Sequence, residues 1–242
     1  MLQLRAAVFY LGIAIAAAIV STSLIIVRIF LPLKSRYWLA MRWNRFAIWW
    51  LDQTCGLSFR ISGLEHLPDG NQAVIVFCKH QSAWETIALP PLLPPLALVF
   101  KRELLWIPFF GWGLACLEPI VLDRSARQQA LRVLRAQGRD RLARGRWILL
   151  FPEGTRVAPG ATGRYNSGGA MLAVESGTPV LPVAHNAGVF WTRNSFAKRP
   201  GVIDLMIGPL IATTGRSARD VMRDAESWIE STTNSLPGVR PE

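Results

Sequence analysis

From Gly56 onward the sequence predicts an α/β sandwich with a mixed, mostly parallel sheet, preceded by an N-terminal helix pair of a different texture. Three observations carry this. Short apolar runs of strand length alternate with helical segments. An uncharged stretch runs from Ala6 to Val27, and a segment rich in Trp and Arg follows it. The 242 residues suffice for one sizeable domain plus an appendage. With 51% hydrophobic and 18% charged residues, the chain is neither disordered nor of low complexity. Its formal net charge of +11 attracts polyanions, whether nucleic acid, an anionic membrane or phosphorylated small molecules. The ten tryptophans favour a membrane.

At about 1.5 Å per residue, Ala6–Val27 reaches roughly 33 Å, enough to cross a hydrocarbon core of about 30 Å. Only Arg5 precedes it, whereas Arg28, Lys34, Arg36, Arg42 and Arg45 follow closely. That pattern argues against a cleaved signal peptide and places the remainder on the cytoplasmic side of an inner membrane. The segment Ser35–Leu51 interleaves Trp38, Trp43, Phe46, Trp49 and Trp50 with Arg36, Arg42 and Arg45, a composition suited to the headgroup zone. Pro32 breaks the two helices. Residues 1–56 are therefore assigned to a membrane anchor and 57–242 to the globular domain. The alternatives are that both helices pack on the domain as core, or that the first enters a single leaflet.

Strands are expected at Phe59–Ile61, Ala73–Phe77, Leu96–Phe100, Ile120–Leu122, Trp147–Phe151, Val180–Val183 and Ile203–Ile207. Helices are expected at Ser82–Leu89, Arg124–Arg144, Ser167–Ser176 and Ser217–Asn234. The Arg-rich helix from Arg124 reads as a solvated basic face, with a membrane-facing surface as the sharper alternative. Cys55, Cys78 and Cys116 are odd in number and widely spaced, which suits buried reduced thiols and neither disulfides nor a zinc site. The histidines are scattered, so no metal is expected.

Four strand ends carry the chemistry. The run Lys79-His80-Gln81-Ser82-Ala83-Trp84-Glu85 leaves a histidine before a helix, with a carboxylate five positions on. The two meet only if His80 lies ahead of the first turn, which Ser82 as N-cap arranges. His80 then serves as a general base, with Glu85 holding its second nitrogen. Against this, Ser82-x-x-Glu85 is a capping box that accounts for Glu85 without catalysis. Phe151-Pro152-Glu153-Gly154-Thr155-Arg156 offers backbone N–H groups, a hydroxyl and a guanidinium for a phosphate, or is a plain polar turn. Lys101-Arg102-Glu103, ahead of Pro108, Gly111 and Gly113, suits the same anion or is simply solvated. Val180–His185 ends on a proline bend and reads as structural support. Gly163 and Gly168 have P-loop spacing, but Gly169 and Ala170 stand where Lys and Ser/Thr are required. Neither G-x-S-x-G, G-x-G-x-x-G nor H-E-x-x-H occurs.

In this order the four blocks resemble the glycerolipid acyltransferases, above all the bacterial 1-acyl-glycerol-3-phosphate (lysophosphatidate) acyltransferases, over about Gly56 to Pro209. The resemblance implies the glycerol-3-phosphate acyltransferase-like fold and a membrane-bound enzyme that acylates lysophosphatidic acid to phosphatidic acid. It implies that His80, paired with Glu85, deprotonates the sn-2 hydroxyl for attack on the thioester of acyl-CoA or acyl-carrier protein, a co-substrate and the sole cofactor-like requirement. It implies that Lys101, Arg102, Arg156 and Arg124 meet the phosphate, and that Glu153, Gly154 and Thr155 shape the glycerol pocket. Two departures stand out. The family's H-x4-D is H-x4-E here, and Tyr165-Asn166-Ser167-Gly168 lacks an expected lysine, which leaves another lyso-lipid such as lyso-ornithine lipid as an acceptor. A non-catalytic lipid-binding protein on the same fold is a further alternative. A nucleic-acid-binding protein explains only the basic patch and none of the four blocks, so no nucleic-acid partner is expected.

Overall fold

The computed structural model describes residues 1–69, 72–123 and 126–239. Two long helices come first, α1 (Leu2–Val27) and α2 (Leu33–Cys55). The apolar run of α1 ends in a turn before Pro32, whose extended backbone caps α2. Gly56, with φ of 65°, closes α2 by donating its N–H to the Asp52 carbonyl, a left-handed conformation that glycine adopts at little cost.

Seven strands follow: β1 (Leu57–Ser62), β2 (Ile75–Cys78), β3 (Leu96–Lys101), β4 (Ile120–Leu122), β5 (Trp147–Leu150), β6 (Val180–His185) and β7 (Gly201–Ile207). The remaining helices are α3 (Trp84–Ala88), α4 (Phe110–Ala115), α5 (Arg127–Ala143), α6 (Gly168–Ser176), α7 (Ala187–Phe190) and α8 (Ala218–Ser235). The strands lie side by side in the order β1-β7-β6-β2-β5-β3-β4. Every pairing is parallel except β6 with β7. The expected mixed, mostly parallel sheet is therefore present. All seven expected strands occur, β4 with the expected bounds and the other six with shifted ends, and the short α4 and α7 are additions.

Two of those shifts matter. Strand β6 runs straight through Pro182 to His185 instead of ending on a proline bend. Pro182 falls one residue before the pairing with β7 begins, where a missing N–H is tolerated. In addition, α3 begins at Trp84 with Ala83 as its cap residue, so Ser82 is not the N-cap. Its hydroxyl instead accepts the Trp84 N–H at 3.3 Å.

Alternate residues of the buried strands face opposite sides, which gives two apolar layers. On one side Val76, Leu149, Leu181 and Val183 pack with Tyr37, Met41, Leu51 and Cys55 of α2. On the other, Ile75, Ile148 and Leu150 pack with Leu134 of α5, Leu172 of α6 and the Val221–Ala225–Ile229 stripe of α8. All three cysteines are free thiols and buried.

Helix α1 runs antiparallel along α2. Arg5 Nε donates to the Thr54 carbonyl (2.6 Å), Trp50 Nε1 to Val8 (3.2 Å) and Trp43 Nε1 to Ile13 (2.9 Å). Near its start, Lys198 is buried in a cage of four rings, with its ammonium 3.5 Å from the Tyr10 centroid, 4.6 Å from Trp191, 5.2 Å from Phe9 and 5.6 Å from Phe196. Each such contact attracts the cation electrostatically. The opposite face of α1 is bare: Leu4, Leu11, Ile15, Ile19 and Ile26 are exposed, as are Trp106 and Trp112 nearby in the chain segment that packs on α1. By length and composition α1 can cross a membrane, and 11% of its apolar window is buried.

Candidate active site

Strand β2 is short and wholly buried, and it delivers Lys79 and His80 to the carboxyl edge of the sheet. In open α/β sheets that edge is where ligands gather. The backbone of His80 is held on both sides by the loop after β5. Its N–H donates to Glu153 Oε2 at 2.7 Å, and its carbonyl accepts the Val157 N–H at 2.8 Å. The imidazole stacks on Phe151 with centroids 4.1 Å apart and an interplanar angle of 18°.

His80 Nδ1 lies 2.7 Å from Glu85 Oε1. The same oxygen accepts the N–H groups of Gln81 (3.0 Å) and Ser82 (2.9 Å). Glu85 thus performs both tasks the sequence allowed, closing the helix start and holding the histidine. A carboxylate accepts only, so Nδ1 carries the proton and Nε2 is left to accept one from a substrate. Burial opposes the charge of Glu85, but facing His185, the His80 bond and the Ser82 N–H outweigh it and hold the carboxyl below its usual range.

Behind Glu85 stands His185, fully buried, with Nε2 3.8 Å from Glu85 Oε2. His185 Nδ1 accepts the Ala187 N–H at 3.2 Å, so Nε2 carries the proton and donates to the Lys79 carbonyl at 2.8 Å. Burial pushes its pKa below the ordinary value, against the pull of Glu85 and the Lys79 carbonyl. His185 is therefore a neutral ring that supports the Lys79–His80 backbone. Among the described residues nothing donates a hydrogen bond to Glu85 Oε2.

Glu153 is buried, bonded to His80 N–H and to Lys79 Nζ (2.8 Å), and it also borders the cleft beside the turn. Gly154 adopts φ of 69° to make the tight turn, and its N–H donates to the Phe151 carbonyl at 3.0 Å. Thr155 is exposed at the tip. Arg156 is half-buried, its carbonyl accepts Arg193 Nη1 at 3.1 Å, and among the described residues its guanidinium has no carboxylate partner. The turn is buttressed where the resemblance led one to expect a lysine: Asn166 donates its Nδ2 (2.9 Å) and N–H (2.8 Å) to the Pro152 carbonyl.

Lys101 and Arg102 lie at the end of β3, with β5 between it and β2, a separation of about 10 Å at ordinary strand spacing. Lys101 pairs with Glu103 at 3.0 Å and Arg102 with Asp123 at 3.9 Å, and both side chains are more than half exposed. Arg124 lies outside the described residues. On the α5–α6 side a cleft of about 590 Å³ opens beside the turn, with Leu131, Leu134 and Leu150 as its apolar floor and Thr155, Arg164 and Asn166 among its polar lining.

The arrangement can deprotonate a hydroxyl at His80 Nε2, next to a turn whose guanidinium has no carboxylate partner among the described residues. Comparison with known proteins places the chain in a family. The family model described as Acyltransferase matches residues 58–186. A 1-acyl-sn-glycerol-3-phosphate acyltransferase of Pseudomonas aeruginosa is 42% identical over 98% of this chain and 93% of its own length. The human 1-acyl-sn-glycerol-3-phosphate acyltransferase alpha is 26% identical over 69% of this chain and 59% of its own. Among solved structures, the 1-acyl-sn-glycerophosphate acyltransferase of Thermotoga maritima superposes over 100% of this chain and 98% of its own, with a TM-score of 0.81 at 22% identity, and so shares the fold. With its fold, its histidine–carboxylate pair and these matches taken together, the chain belongs to the acyltransferase family.

Proposed function

We propose that this enzyme acylates the sn-2 hydroxyl of 1-acylglycerol-3-phosphate, giving phosphatidic acid, with acyl-CoA or acyl-carrier protein as donor and no further cofactor. The observation that carries the reading is the His80–Glu85 pair at 2.7 Å, with the ring clamped by Phe151 and the backbone by Glu153 and Val157. In the step envisaged, the hydroxyl proton passes to His80 Nε2 while its oxygen attacks the thioester carbonyl carbon. The C–S bond then breaks, and the thiolate leaves with the proton returned by the imidazolium. Glu85 stabilises that imidazolium, and Arg156, with Lys101 and Arg102 farther out, meets the phosphate.

Residues 1–56 serve as the anchor and 57–242 as the catalytic domain. Because α1 lies along α2, and α2 along the sheet, the bare apolar face of α1 with Trp106 and Trp112 suits entry into one leaflet from the cytoplasmic side of the inner membrane. The four basic residues of α2 fit its headgroup zone.

Purified protein supplied with labelled acyl donor and a panel of lyso-acceptors, with and without phosphate, tests the assignment. Transfer to 1-acylglycerol-3-phosphate is expected to dominate. Equal transfer to lyso-ornithine lipid overturns the acceptor assignment, and absence of transfer to any acceptor favours a lipid-binding protein.

A further inference from the structure

Lys79 is fully buried beside the catalytic histidine, and the proton transfer has no use for it. Its ammonium donates to Glu153 Oε1 at 2.8 Å, to Glu230 Oε1 at 2.6 Å and to the Ala161 carbonyl at 3.3 Å. An ammonium has three donors, so all are used. Glu230 projects from α8, 151 positions along the chain, and lies outside the residues matched by the family model. It also accepts the Tyr165 hydroxyl at 2.8 Å and the Thr162 hydroxyl at 3.2 Å. The second oxygen of Glu153 is the one that holds the His80 N–H.

From this chain of contacts we infer that Lys79 and Glu230 are positioning residues for the transfer reaction: α8 fixes Lys79, Lys79 fixes Glu153, and Glu153 fixes the backbone from which the His80 imidazole hangs. The inference rests on His80 being the base. Two carboxylates with no cation between them repel each other and have little water to screen them, so Lys79 is what keeps Glu153 both charged and aimed at His80. The Tyr165 and Thr162 hydroxyls supply the donors that stabilise the second negative charge, and they complete a network in which every polar group is paired. A misplaced base loses rate without losing substrate affinity, because the turn that carries Arg156 is held separately, by Asn166 at the Pro152 carbonyl and by Arg193 at the Arg156 carbonyl, and Lys101 and Arg102 lie at the end of β3.

The test is a kinetic cycle on the full chain in lipid vesicles. Lys79→Met is expected to lower kcat about 100-fold while the acceptor KM stays within about threefold, the scale of a misplacement near 1 Å. Glu230→Gln is expected to lower kcat about tenfold in the same way, since removing one member of a shared network couples on that scale. The double variant is expected to be no worse than Lys79→Met alone, because Glu230 acts through Lys79. Wild-type kcat in Lys79→Met, a loss expressed in KM, or losses that multiply in the double variant each overturn the inference. If Lys79→Met does not fold, Glu230→Gln and Tyr165→Phe decide by the same split between kcat and KM. His80→Ala is run alongside. Full activity there sinks the base assignment itself, whereas a dead His80→Ala beside a normal Lys79→Met sinks only the present inference.

Discussion

His80 is held by Glu85 on its ring, Glu153 and Val157 on its backbone and Phe151 on its face, all inside the protein. Lys101 pairs with Glu103 and Arg102 with Asp123, both in the open, and among the described residues the Arg156 guanidinium has no carboxylate partner. The contrast fits the roles proposed for each group. A general base has to present one nitrogen within about 3 Å of a hydroxyl, so its orientation is fixed in advance by buried bonds. A phosphate-binding cation needs donors it can release to the anion, so it is left without a partner or paired only weakly in the open. The protein therefore spends its buried polar groups on geometry and its surface charge on attraction.

This contrast breaks most sharply at His80. His80→Ala is expected to cost about 10²–10⁴ in kcat with the acceptor KM little changed, measured by acyl transfer at saturating donor. Retention of full activity in a folded, membrane-bound variant removes the base assignment. A smaller loss is expected at Glu85. Glu85→Ala is expected to cost about 10² in kcat, since the ring loses its orientation. Glu85→Asp is expected to keep more of the rate than Ala, because the charge survives and only one methylene is lost. Equal loss in both variants points to the backbone N–H bonds from Gln81 and Ser82 as the whole of the Glu85 contribution.

The buried half of the site divides between what adjacent residues can reveal and what only folding assembles. His80 and Glu85 are five positions apart at a strand-to-helix junction, so their meeting follows from helix geometry once the strand is recognised. The Phe151–Arg156 turn is equally local. Lys79 looked like a neighbour of the motif, because its partners Glu153 and Glu230 lie 74 and 151 positions away and no spacing rule connects them. The resemblance led one to expect Glu153 at a glycerol pocket, and its bonds to Lys79 and the His80 N–H were equally out of reach of any spacing rule. His185 was read as support at the end of a strand, and it does support Lys79. Its position behind Glu85 depends on β6 running parallel to β2, which is a property of sheet order. The packing of α1 on α2 was likewise open, since hydropathy fixes the length of a helix and not its neighbour.

The outward half of the site is sharpened by comparing two of its cations. Arg156 follows the turn that holds His80, is half-buried and has no carboxylate partner among the described residues, so in the proposed role it offers a phosphate a fork of donors that no acid engages. Lys101 is already engaged by Glu103 at 3.0 Å in the open, and exposed pairs of that kind are worth about 0–1 kcal/mol. A phosphate must compete with Glu103 for the Lys101 ammonium, and water screens whatever it gains. Arg156→Ala is therefore expected to raise the acceptor KM about tenfold, the lower end of what a charge-assisted bond supplies, with kcat within a factor of about two. Lys101→Ala is expected to raise it no more than about threefold. Steady-state kinetics against 1-acylglycerol-3-phosphate at fixed donor separates the two. A larger effect at Lys101 than at Arg156 places the phosphate at the end of β3, about 10 Å from β2, and requires the substrate to span β5. An effect of Arg156→Ala on kcat alone draws that side chain into the inward half, with His80 and Glu153, where orientation rather than attraction sets the rate.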